Sequence, residues 1–182
     1  MLRVDPAIRW LIAAALAAIF ASSAASKLRD PAAFRDAVDN YRIVPRWVAG
    51  VLAGVIPVLE LAGAVGILFA PARESSALLL IALLVVFTIA IAVNLARGRR
   101  DIDCGCFGVA LRQGLSGWLV VRNVALLVIA ATVLLPAGGR RIGALDAVTI
   151  ASGAASLVLL YAAANYLLAE ALALRAVEMR HG

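Results

Sequence analysis

The chain has 182 residues, 64% of them hydrophobic, with a formal net charge of +6 and a mean hydropathy of +1.00. A water-soluble domain of this length is nearer half apolar, so the composition excludes that class and indicates a polytopic membrane protein. The positive charge does not indicate nucleic-acid binding, because the arginines flank apolar runs and form no basic face with interleaved aromatic side chains. Anionic lipid headgroups account for the charge better, so we expect membrane lipid as a partner and no nucleic acid.

The first apolar run lies between Arg9 and Lys27 and predicts a transmembrane helix over about residues 8–27. Its cationic start and the small side chains at residues 21–25 also fit a cleavable signal peptide. The run is long for the apolar part of such a peptide, and Lys27 and Arg29 follow it directly. We therefore favour a retained helix over a cleaved one.

Charged and apolar side chains are mixed in residues 27–46. Phe34, Val38 and Tyr41 are spaced so that they share one face of a helix, which predicts a short amphipathic helix at the membrane interface. Pro31 is suited to the first turn of such a helix. An ordinary solvated loop is the alternative for this stretch.

Further apolar runs follow, and each is long enough to cross about 30 Å of hydrocarbon at about 1.5 Å per residue. With the first run they give predicted spans at about 8–27, 47–70, 75–96, 115–136 and 145–174. We predict an all-α fold, a polytopic membrane helix bundle of about five transmembrane helices, which forms a single integral-membrane domain over residues 1–182.

Glu60 is the one carboxylate well inside a predicted span. Because an isolated charge is costly inside a membrane, we expect Glu60 to pair, to take up a proton or to line a polar cavity, and to mark a functional site. Lys27 and Arg122 are the nearest candidate partners. A purely structural ion pair between helices is the alternative.

The connection at residues 97–114 holds both cysteines of the protein, Cys104 and Cys106, with Gly105 between them. A disulfide between cysteines one residue apart closes a very small ring, which makes the bond strained and easily reduced. The loop that such a bond closes is also too short for the bond to stabilise the fold. We therefore favour a redox or soft-metal role for this pair over a structural one.

Two cysteines are too few for electron transfer between two dithiols within the chain. The cysteine pair must therefore exchange electrons with a molecule outside the chain, either the dithiol of a partner protein or a small redox carrier such as a quinone. One histidine and two cysteines are also too few for a four-ligand zinc site, so we expect no such metal. Antiparallel packing of the spans predicts that the cysteines share one end of the bundle with Lys27, Asn94, Arg122 and Asn123. Arg99, Arg100 and Arg122 would favour the thiolate there, while Asp101 and Asp103 would oppose it, so the net effect stays open. A side chain that extends to the headgroups is the alternative for Arg122.

A series of short motifs follows along the chain: Lys27, Pro57-x-x-Glu60, Asn94-x-x-x-Gly98, Asp103-Cys-Gly-Cys-Phe-Gly108 and Arg122-Asn123. In this order the motifs resemble the MauE family, methylamine-utilisation membrane proteins that are related to DoxX-like four-helix membrane proteins. The resemblance covers about residues 8–136, and no motif matches in the fifth helix. It implies a DoxX-like four-helix core plus one C-terminal helix.

The resemblance also implies an accessory protein of methylamine metabolism in the plasma (inner) membrane, which helps an exported enzyme such as methylamine dehydrogenase to mature. It implies a thioredoxin-like partner of the MauD type and a disulfide-rich client protein. Our leading hypothesis is thiol–disulfide exchange, in which a thiolate of Cys104 or Cys106 attacks a partner disulfide and the other cysteine resolves the mixed disulfide. Lys27, Glu60 and Arg122 would tune the pair or receive protons.

Two arguments disagree about the side of the membrane that the cysteines face. With five spans, one face carries five cationic residues: Arg3, Arg9, Arg73, Arg140 and Arg141. The face with the cysteines carries eleven, so the positive-inside rule puts it in the cytoplasm. The family resemblance puts it outside the cytoplasm, and both alternatives stay open at this point.

Two other functions are compatible with the sequence. Two neighbouring thiolates suit Cu(I), which predicts a soft-metal carrier. A non-catalytic membrane assembly factor, in which the helices hold a partner and the cysteines are incidental, is the other alternative.

Overall fold

The computed structural model describes residues 3–99, 102 and 114–181, with side chains described as far as residue 171. Within these residues the protein has six α-helices, one short 3-10 turn and no β-strand. The helices are α1 (Pro6–Arg29), α2 (Pro31–Asn40), α3 (Arg46–Gly66), α4 (Arg73–Ala96), α5 (Gly117–Thr132) and α6 (Ala144–His181), and the 3-10 turn is Ala70–Ala72. The predicted all-α class is confirmed.

The described helices also confirm a polytopic membrane bundle. Four segments among them are long and apolar enough to cross a membrane: Pro6–Arg29, Arg46–Gly66, Ala70–Ala96 and Ala144–Ala171. The fourth predicted span is shorter as an α-helix than expected, because α5 has 16 residues and a length of about 24 Å. Turns with i to i+3 hydrogen bonds continue its apolar segment to Leu135 and bring it to about 30 Å.

Asp30 separates α1 from α2. Its side chain accepts a hydrogen bond from Ala33 N–H at 2.9 Å, and Pro31 occupies the first turn of α2. Both features favour a helix start, because the cap satisfies an otherwise unpaired N–H and proline has no N–H to satisfy. α2 buries Phe34 against α3. The helix predicted within residues 27–46 is therefore present, and the alternative of a solvated loop is wrong.

α1 lies at the centre of the described bundle. It packs against α3 and α6, while α4 packs against α3 and α5, and α2 covers α3. The shared core is apolar and includes Leu16, Phe20, Ile67, Leu80, Leu126 and Val133. Gly63 lets α3 and α4 approach closely, because a Cβ at this position would lie 2.5 Å from Leu80 Cδ2.

Arg73 joins three helices at the end of the bundle where α1 begins. Its Nε donates to the carbonyl oxygen of Ile67 at 3.1 Å, and its guanidinium carbon lies 3.8 Å from the ring centroid of Trp10. Arg73 thereby satisfies a carbonyl just beyond the end of α3 and stacks on α1. The sequence treats Arg73 as one of the cations at a membrane face, but the structure buries it to 6% exposure.

Candidate functional site

Lys27 and Glu60 form an ion pair inside the bundle. Lys27 Nζ, from the last turn of α1, lies 2.5 Å from Glu60 Oε1 of α3, and the two side chains are 2% and 1% exposed. Ser23 completes a triangle of hydrogen bonds, because its hydroxyl accepts from Lys27 Nζ at 2.8 Å and donates to Glu60 Oε1 at 3.2 Å. Ser23 and Lys27 are four residues apart in α1, so they share one face of the helix.

The added hydrogen bonds explain how this pair is tolerated. Taking two charges out of water costs several kcal/mol per ion, which close geometry and further hydrogen bonds must offset. Of the two candidate partners that the sequence offers for Glu60, the structure places Lys27 within hydrogen-bond distance. The pair holds an ammonium and a carboxylate in contact, an arrangement that can hold or pass a proton.

Two phenylalanine rings flank the Lys27 ammonium. Nζ lies 5.2 Å from the ring centroid of Phe34 in α2 and 5.1 Å from that of Phe87 in α4. Both separations fall within the range of a cation–π attraction. Because Glu60 comes from α3, the side chain of Lys27 connects α1 to the next three helices of the chain.

An apolar cavity of about 140 Å³ adjoins this pair. Its walls come mainly from α2, α3 and α4, and Lys27 of α1 is also part of the lining. The side chains around it include Phe34, Val38, Tyr41, Leu52, Phe87 and Ile91. The cavity follows α4 from Phe87 to Ile91, which is about one helical turn or 6 Å.

Arg122 lies in a second buried polar cluster, between α5 and α6. Its Nη1 donates to Asn165 Oδ1 at 2.8 Å, and its Nη2 donates to Asn123 Oδ1 at 3.2 Å. Asn165 in turn donates to the carbonyl oxygen of Tyr161 at 2.6 Å. Arg122 is 7% exposed, so it is held within the protein and does not extend to the headgroups.

Asn165 is a residue that sequence reasoning missed. No motif was recognised in the fifth span, although Asn165 lies in a stretch without charge at residues 147–169. A lone amide in such a stretch is the available signal, because polar groups in transmembrane helices usually hydrogen-bond to another helix.

Asn94 and Arg99 together connect the end of α4 to Tyr41, which follows α2. The Asn94 side chain is fully buried and donates to the carbonyl oxygen of Ala90 at 3.1 Å, and its Oδ1 accepts from Arg99 Nη1 at 3.3 Å. The same Arg99 nitrogen donates to the carbonyl oxygen of Tyr41 at 3.4 Å. The described end of α4 therefore carries a guanidinium close to Tyr41.

Cys104 and Cys106 lie outside the described residues. The flanking residues Ile102 and Leu115 are joined by a backbone hydrogen bond of 3.1 Å from Leu115 N–H to the Ile102 carbonyl oxygen. Both side chains are buried in a cluster with Ile91, against which Tyr41 packs. The residues on either side of the cysteine segment are therefore anchored beside the wall of the cavity, since Tyr41 and Ile91 also line it.

Comparison with known proteins identifies relatives over most of the chain. The family model described as methylamine utilisation protein MauE matches residues 5–136. The methylamine utilization protein MauE of Paracoccus versutus is 42% identical over 165 residues, which cover 90% of this chain and 88% of that protein. The MauE proteins of Paracoccus denitrificans and Methylorubrum extorquens are each 42% identical, over 127 and 125 residues, covering 70% and 69% of this chain and 68% and 67% of theirs. No solved structure shows significant similarity to the chain.

Proposed function

This chain belongs to the MauE family of methylamine utilisation proteins, and on that premise we propose that it is a membrane redox accessory protein. It uses Cys104 and Cys106 for thiol–disulfide exchange with a thioredoxin-like protein of the MauD type. The exchange serves the maturation of an exported, disulfide-rich enzyme such as methylamine dehydrogenase. The membrane is the plasma (inner) membrane, and the cysteines face away from the cytoplasm.

The observation that carries this proposal is the anchoring of the residues on either side of the cysteine segment. Ile102 and Leu115 are hydrogen-bonded to each other and buried against α4 and α5. Buried, hydrogen-bonded residues on both sides of the cysteines support a docking site for a partner disulfide at this end of the bundle. A connection with no such attachment would give less support to a reactive site.

The proposed exchange proceeds in two steps. A thiolate of Cys104 or Cys106 attacks one sulfur of the partner disulfide, forms a mixed disulfide and releases the other partner sulfur as a thiolate. The second cysteine, as a thiolate, then attacks the mixed disulfide and releases the remaining partner sulfur. Two electrons pass to the partner, which gains two thiols after protonation, while this chain keeps a disulfide. Each step is reversible, so the same route carries oxidising equivalents in the other direction.

The buried polar groups support the protonation changes that this exchange requires. Each cysteine must lose a proton before it attacks, and cations near a thiol favour its ionised form. Arg99 and Arg122 supply guanidinium groups in the described part of this end of the bundle. In this proposal, Lys27 and Glu60 act as a hydrogen-bonded pair that receives or returns a proton.

Serine replacement tests the proposal in a cell that depends on methylamine for growth. Cys104→Ser, Cys106→Ser and the double variant should each abolish maturation of methylamine dehydrogenase, measured as its activity in extracts. Ser156→Ala, at an exposed position of α6, is the matched control and should mature the enzyme normally. Full maturation in the double serine variant would overturn the proposal and favour a non-catalytic assembly factor.

Thiol labelling in intact cells decides the facing side. A membrane-impermeant thiol reagent is applied to one sample of cells before reduction and to another after reduction. It should label the cysteines in the reduced sample while the cells are still intact. Labelling that requires the cells to be opened would place the cysteines in the cytoplasm, as the charge distribution predicts. It would contradict the proposed side.

A further inference from the structure

The cavity between α2, α3 and α4 has the size of a single aromatic ring. Its volume is about 140 Å³, and an apolar cavity of about 150 Å³ in another protein is known to hold one benzene molecule. Phe34, Val38 and Phe87 line it with apolar surface. Such walls favour a flat, uncharged ring over a polar solute.

The cavity has a hydrogen-bond donor that its apolar walls do not satisfy. The Lys27 ammonium carries three N–H groups, two of which donate to Ser23 Oγ and Glu60 Oε1. Within the part of the chain that the structure describes, the third N–H has no hydrogen-bond acceptor. Because Lys27 lines the cavity and is 2% exposed, an acceptor atom on a bound molecule is suited to this donor.

The charge of the site selects a neutral acceptor. Glu60 compensates the positive charge of Lys27, so the pair offers a strong donor without a net charge. A carboxylate or phosphate would bring an uncompensated negative charge next to Glu60, in apolar surroundings. A carbonyl oxygen accepts the same hydrogen bond without that penalty.

We propose that this cavity binds the ring of a membrane quinone, with one ring carbonyl accepting a hydrogen bond from Lys27 Nζ. A quinone combines a six-membered ring, neutral carbonyl acceptors and an apolar tail, which are the features that the cavity selects. Two lining residues, Ile43 and Val86, are 45% and 59% exposed, so the cavity has apolar side chains at its surface where the tail can continue into the lipid. Acyl chains of phospholipids fill apolar space but offer no acceptor at that depth.

The position of the cavity suits an electron carrier for the cysteines. Tyr41 and Ile91 belong both to its wall and to the cluster that buries Ile102 and Leu115, on either side of the cysteine segment. This part of the inference rests on the proposed function. The quinone would take two electrons and two protons from the two thiols, which form a disulfide, and would leave as the quinol. Binding of the ring itself does not require the cysteines.

Photolabelling of the purified, full-length protein in lipid nanodiscs tests the inference. An azido-substituted ubiquinone should label peptides of α2 and α4, and decylubiquinone should compete at a concentration about tenfold lower than decylbenzene, which has the ring and tail but no carbonyl. Ala90→Phe and Val38→Phe fill the cavity and should abolish specific labelling. Ala82→Phe, at an exposed position of α4, is the matched control and should be labelled like the wild type.

Three further results bear on the inference. A double variant, Lys27→Met with Glu60→Leu, removes the donor together with the charge pair, so it should bind decylbenzene as before but lose the preference for decylubiquinone. The variant with both cysteines replaced by serine should keep normal labelling even though maturation fails, which separates this inference from the proposed function. Equal competition by the two compounds with the wild type, or labelling that Ala90→Phe and Val38→Phe leave unchanged, would overturn the quinone site.

Discussion

The ammonium of Lys27 lies 2.5 Å from the carboxylate of Glu60, and Ser23 hydrogen-bonds to both. Neither charged side chain is more than 2% exposed. The pair connects α1 to α3, and the flanking rings of Phe34 and Phe87 extend the contact to α2 and α4. One buried charge pair therefore makes contacts with four helices.

We predict that removing one charge of this pair is much more harmful than removing both. Glu60→Leu leaves the Lys27 ammonium buried without its carboxylate and should lower the free energy of unfolding by about 3–5 kcal/mol. Adding Lys27→Met removes the remaining charge and should restore most of the loss. Thermal unfolding of the three proteins in one detergent measures both effects. A double variant no more stable than Glu60→Leu would contradict this description of the pair.

Close packing of α3 against α4 predicts opposite effects of alanine at two glycines of α3. Gly63→Ala puts a methyl group 2.5 Å from Leu80 Cδ2 and should lower stability by about 1–3 kcal/mol. Gly54→Ala meets no atom within 4 Å and should leave stability unchanged or raise it by up to about 1 kcal/mol, because alanine favours the helix. The same unfolding assay compares them, and equal effects at the two positions would exclude a tight helix contact at Gly63.

The hydrogen bond from Arg122 to Asn165 predicts that α6 is held by a charged contact as well as by packing on α1. Asn165→Leu should lower stability by about 1.5–3 kcal/mol, because hydrogen bonds to charged groups fall in that range. It should also speed proteolysis in the connection between α5 and α6. Leu167→Ala, at an exposed position of α6, is the control and should change neither quantity by much. Protease sensitivity equal to that of the control would argue against the contact.

Apolar runs predicted the helices well, because membrane hydrocarbon imposes both length and composition on a spanning segment. The sequence also singled out Glu60, since a carboxylate inside a span needs a partner. It left Lys27 and Arg122 as alternatives, because the choice depends on how the helices rotate and cross. Ser23 gives Lys27 a second contact on the same helix face, but a serine among alanines carries no distinctive signal.

Packing also decides the features that the sequence did not predict. The cavity is formed by side chains from three helices, and its volume depends on interhelical distances that periodicity does not encode. The sequence predicted that Arg73 is a cation facing the headgroups, yet Arg73 caps α3 and stacks on Trp10 of α1. The partner of Asn165 was hidden for the same reason, because the contact joins residues that are 43 positions apart.

Arg140 and Asp5 predict a pH effect at the end of the bundle where α1 begins. Hydrogen bonds from Arg140, and then from the backbone of Ala7, hold the pKa of Asp5 below its ordinary value of 3.8. Because the folded pKa is the lower one, this contact stabilises the fold fully above the unfolded pKa and is lost as pH falls through the folded pKa. Arg140→Ala should raise the pKa of Asp5 towards 3.8, measured by NMR titration of the labelled carboxyl carbon. Arg141→Ala is the control, and an Asp5 pKa that is the same in both variants would contradict the assignment.

The central claim is that Cys104 and Cys106 exchange a disulfide with a protein outside this chain, and trapping of the mixed disulfide tests it most directly. Cells that carry Cys104→Ser or Cys106→Ser are acid-quenched, alkylated and separated on a non-reducing gel. We predict that one of the two variants accumulates an adduct with a thioredoxin-like protein, that reduction releases it, and that the double serine variant lacks it. The claim would be contradicted if both single variants fold, form no reducible adduct, and still support maturation of the enzyme in the cells that carry them.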